Sequence, residues 1–130
     1  MDIYTSLFLI GAILIGPIMI SIIVRQQQIG SPALAGVLSI AFGAFTVLTI
    51  AQEGIEQVIM NHSVNFWGTQ VWYDLIIAAS IALFFVAPRA RAVGMNLWPW
   101  AIFVALSASI GLLAMIARLF WLELQGEQKS

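Results

Sequence analysis

Long apolar runs separated by short polar stretches organise this chain. The first run, about residues 4–24, carries no charge and closes at Arg25-Gln26-Gln27-Gln28. Gly30-Ser31-Pro32 then makes a turn. The second run covers about 33–53, the third 67–87 and the fourth 97–122, and a polar tail follows at 125–130. Each run reaches the roughly 20 apolar residues that a helix needs to cross a bilayer. The runs are apolar all round rather than striped, which sets them apart from the helices of a water-soluble bundle. They do not alternate as the strands of a membrane barrel would. Backbone groups in hydrocarbon must bond within their own segment, so the spans are expected to be α-helices.

The pattern therefore predicts an all-α, four-helix transmembrane bundle running up-down-up-down as a single domain. Pro17, after Gly16, predicts a kink in the first helix. Pro88-Arg89-Ala90-Arg91 is expected to stop the third. Residues 54–66 mix polar and apolar positions. They either extend the second helix or lie as a helical segment on the membrane surface.

Composition agrees. The 130 residues are 62% hydrophobic and 8% charged, with a mean hydropathy of +1.01. A soluble domain carries about 25% charged residues. A net charge of −1 gives no basic field for nucleic acid. The absence of cysteine removes disulfides, thiolate metal sites and cysteine nucleophiles.

Charge placement also bears on orientation. Four crossings would put Arg25, Arg89 and Arg91 on one face. Arg118, Lys129 and all six acids would lie on the other. Three basic residues against two favours cytoplasmic Arg25 and Arg89/Arg91 loops, with both termini outside. Trp67, Trp72, Trp98, Trp100 and Trp121 fall near span ends and read as headgroup-layer anchors.

Lipid is as apolar as leucine, so helices in it associate through close backbone approach. Small residues mark the expected packing faces: Gly36, Ser39 and Gly43 on the second span, Ala78 and Ala82 on the third, and Ser107 and Gly111 on the fourth. The neighbour could lie in this chain, in another membrane protein or in a second copy.

The sequence carries no catalytic constellation, and the chain is expected not to be an enzyme. One histidine, His62, supports neither bis-histidine haem nor catalytic zinc. The lone lysine, Lys129, lies in the tail and offers no retinal-type Schiff base. No nucleotide fingerprint occurs, so no cofactor is assigned. The ionisable residues worth attention are Asp74, Arg118, Glu53 and Glu56. In antiparallel spans all four would approach one face. An ionisable group at the bilayer centre costs about 2.5–3.5 kcal/mol on insertion scales, so partners are expected. The structural reading is an ion pair of Arg118 with Asp74 or Glu53. The functional one is a polar pocket for a headgroup, a quinone-like molecule or a proton.

Residues 66–122 resemble a widespread group of small, uncharacterised bacterial integral membrane proteins. The resemblance rests on Trp72-Tyr73-Asp74-Leu75, the loop Pro88-Arg89-Ala90-Arg91-Ala92-Val93-Gly94, Trp98-Pro99-Trp100, Gly111 and Arg118-Leu119. It implies a bacterial inner-membrane location and a hairpin fold. The group has no established activity, so no substrate follows. Three functions compete: an accessory or assembly subunit, a small-molecule or ion carrier using Asp74 and Arg118 in an oligomer, and a membrane enzyme or pigment-, quinone- or lipid-binding protein.

Overall fold

Local side-chain capping marks where four of the helices begin. In a computed structural model describing residues 1–130, helix α1 spans Ile3–Val24. Its N-cap is Asp2, which accepts the Thr5 amide at 2.7 Å. That bond, with one from the Thr5 side chain, holds the Asp2 carboxyl below its ordinary pKa. The helix continues through Pro17. Ser31 caps α2 (Pro32–Glu53) by accepting the Leu34 amide, with Pro32 in the first turn, where its missing N–H costs nothing. Asn65 caps α4 (Phe66–Ala92) through the Gly68 amide at 2.7 Å.

Residues 1–30 and residues 31–130 form two separate compact units. The first consists of α1 and its flanks, and none of the α1 residues is buried. The second contains α2, α3 (Gln57–Ser63), α4, α5 (Leu97–Ser107) and α6 (Ser109–Lys129). The protein is thus all-α, with six helices. Four of them, α1, α2, α4 and α6, are long and apolar enough to cross a membrane. The segment 54–66 does not extend α2. Gly54, at φ 89°, ends that helix, and the short α3 follows.

Pro88 does not stop α4, which runs on to Ala92. The helix closes instead in a Schellman motif. Gly94 takes φ 81°, Met95 N–H donates to the Ala90 carbonyl, and Gly94 N–H donates to that of Arg91. Proline removes one backbone bond, and here the helix end is set by the residue that accepts a left-handed conformation.

The larger departure lies in residues 97–122, which were expected to be one helix. Ala108, at φ 50° and ψ −111°, divides them. A straight helix would hold Phe103 and Gly111 about 12 Å apart. Instead, a Cβ built on Gly111 would fall 2.7 Å from the Phe103 carbonyl oxygen. Val104 joins Met115, Leu119, Met95 and Ala90 in the buried cluster. The segment therefore doubles back as a helical hairpin. Ser107 holds the turn: its hydroxyl donates to the Phe103 carbonyl at 2.8 Å and accepts the Gly111 amide at 2.9 Å. The tail expected beyond 125 stays helical to Lys129, in keeping with its Gln, Glu and Lys content.

Helix α6 is the hub of its unit and packs on α2, α4 and α5. Gly36 lies against Ala117, and Gly43 against Ile110. As the α2 number rises the α6 number falls, so the two helices are antiparallel. Ser39 Oγ donates to the Ile110 carbonyl at 2.8 Å across this seam.

Candidate functional site

The ionisable residues do not assemble as expected. The ion pair in the structure is Arg89–Glu123. Arg89 Nη2 donates to Glu123 Oε1 at 2.6 Å, and Nε donates to Oε2 at 3.1 Å, a two-point contact. Arg118 pairs with neither Asp74 nor Glu53. Its guanidinium lies 4.6 Å from the Trp121 ring centroid. The hairpin is the reason. Arg89 and Glu123 stand at one level, so Arg118 stands near the level of Phe84, about 15 Å along α4 from Asp74. Asp74 faces outward on α4. Glu53 and Glu56 do not share a helix face, because Gly54 ends α2 between them.

The small residues divide. Gly36, Ser39 and Gly43 form the α2 seam with α6. Ser107 and Gly111 meet across the hairpin turn rather than along one helix. Ala78 is exposed and Ala82 half-buried. Among the tryptophans, Trp67 and Trp98 are the most exposed. Trp100 is half-buried against the core and stacks on Phe103 at 6.4 Å between centroids. Trp72 lies 5.4 Å from the His62 ring and ties α3 to α4. His62 Nδ1 is 2.6 Å from the Val58 carbonyl. No group of three or more His, Cys, Asp or Glu residues stands close enough to hold a metal ion.

A feature that the apolar pattern did not announce is a cavity of about 550 Å³ within residues 31–130. Phe42 from α2, Trp72 and Leu83 from α4, Val104 and Leu106 from α5, and Ile110 from α6 line it. Thr46, Ser80 and Ser107 are its hydroxyl-bearing residues, and each donates to a carbonyl of its own helix. The wall is therefore apolar in effect, without an ionisable side chain. It suits a hydrocarbon-like guest better than an ion. The clue in the sequence was Ser107-Ala108-Ser109 with Gly111. These small residues allow both close packing and a chain reversal, and periodicity alone does not separate the two.

Compared with family models, curated proteins and solved structures, the chain matches none. Four long apolar helices make it an integral membrane protein.

Proposed function

We propose that this is a non-catalytic accessory or assembly subunit that packs its outer helical faces against a larger membrane complex or against copies of itself. The observation that carries the reading is how little is buried within residues 31–130, which leaves the outer faces of those helices for lipid or for a neighbouring protein. The interior of residues 31–130 is small: the buried apolar side chains are Ala35, Ala90, Met95, Val104, Met115 and Leu119. The resemblance over residues 66–122 supports a bacterial inner membrane as the setting. Purification in mild detergent tests the proposal. A co-purifying membrane protein, or a defined homo-oligomer, is expected. A stable monomer without companions would overturn it.

The cavity favours a second reading, a binding site for a lipid chain or an isoprenoid quinone. Extraction of the native protein should then yield such a molecule in stoichiometric amount, and Leu83→Trp should reduce its content. The carrier reading gains no support, because Asp74 and Arg118 stand far apart and neither lines the cavity.

A further inference from the structure

We infer that α5 and α6 form a re-entrant hairpin, entering and leaving the membrane through one face with its tip at Ala108 near the bilayer midplane. The C-terminus then lies on the face opposite α3, together with all five basic residues.

Depth comes from α2. Its 22 residues are about 33 Å long, close to the roughly 30 Å of a hydrocarbon core. The start of α6 lies beside the middle of α2, where Ile110 meets Ser39 and Gly43. Helix α6 runs from that level towards the start of α2, as its contact of Ala117 with Gly36 requires. The direction is fixed a second time on α4, where Glu123 reaches Arg89 at the end of that helix and not at its beginning. Helix α6 is long enough to cross a bilayer, but it starts halfway through. Arg118 stands nine residues, about 14 Å, from Ser109, which brings it near the headgroups. Trp121 and Glu123 follow beyond it.

Irregular backbone at the midplane requires satisfied polar groups. Ser107 supplies both of its bonds there, Ser39 covers the Ile110 carbonyl, and Leu112 N–H donates to the Ala108 carbonyl. No buried side-chain nitrogen or oxygen lacks a partner.

Charge supports the same arrangement independently. The seven residues 25–31 reach at most about 25 Å. A spanning α1 must therefore leave the bilayer on the face from which α2 enters. Arg25, Arg89, Arg91, Arg118 and Lys129 then share one face, and no lysine or arginine remains on the other. Four full crossings gave three against two, whereas the hairpin gives five against none. The rule that lysine and arginine stay in the cytoplasm makes this the cytoplasmic face. The expectation that both termini lie outside gives way to an outside N-terminus and a cytoplasmic C-terminus.

The chain contains no cysteine, so single cysteines can be read without background. Asp2→Cys, Gln27→Cys, Asn61→Cys, Glu127→Cys and Ser130→Cys would each be treated with a membrane-impermeant maleimide. Right-side-out and inverted vesicles would be compared, with detergent-solubilised protein as the measure of full labelling. Right-side-out vesicles should label positions 2 and 61 only, and inverted vesicles 27, 127 and 130 only. Labelling of 61 and 130 from the same face overturns the hairpin, as does labelling of 127 and 130 from both faces or from neither. Labelling with every face reversed keeps the hairpin but overturns the assignment of the cytoplasmic side.

Discussion

Arg89 and Glu123 meet through two hydrogen bonds at the end of α4, with side chains 40% and 17% exposed. Partial exposure keeps such a pair modest, about 1 kcal/mol, but its two-point geometry makes it directional. Glu123→Gln should lower the melting temperature in detergent slightly. The exchange Arg89→Glu with Glu123→Arg should destabilise by less than the sum of its two single reversals in a double-mutant cycle. Asp74→Ala should melt like the parent, because Asp74 holds no ion pair. Clear destabilisation by Asp74→Ala would point to a partner outside this chain. Ala108 is the other residue where one atom matters. At φ 50° an alanine carries strain that glycine lacks. Ala108→Gly should raise thermal stability by about 1 kcal/mol, and a fall in melting temperature would show that the turn is not held in this conformation.

At the level of helices, stability is concentrated where α6 meets α2. Two glycines face the Ala117 and Ile110 side chains of α6 and one serine bonds across. In membranes such bonds average about 0.6 kcal/mol and reach about 1.7. Ser39→Ala should cost an amount in that range. Gly43→Leu should cost more: a Cβ there only touches Ile110, at 3.9 Å, but the leucine atoms beyond it would overpack the seam. Thermal unfolding in one detergent, followed by tryptophan fluorescence, separates the two. Equal effects would mean that the hydroxyl, rather than the close approach, dominates the seam. Helix α5 is held differently. It contributes Val104 to the buried cluster and leans on α6 through a hairpin turn that Ser107 closes.

Across the whole molecule, exposed hydrophobic side chains dominate: Phe8, Ile23, Ile40, Phe66, Phe84 and Leu106 each lie well outside any core. Such a surface is stable only in hydrocarbon or against other apolar helices. Carbonate or urea washing of membranes should leave the protein in the pellet, with detergent alone releasing it. Release by carbonate would sink the membrane assignment and everything built on it.

Hydropathy along the chain was enough to fix the helical class, the number of long apolar helices and most of their ends. Run length and charge exclusion are local properties. The break at Ala108 was not legible, because an apolar run looks the same whether it continues or doubles back within a membrane. The ion pair was not legible either: Arg89 meets Glu123 only because the chain reverses between them. The cavity likewise exists only where α2, α4 and the hairpin come together. Direction within the membrane is a long-range property. It is set by which backbones approach closely and which carbonyls find donors, and in this chain Ser39, Gly43 and Ser107 make those contacts.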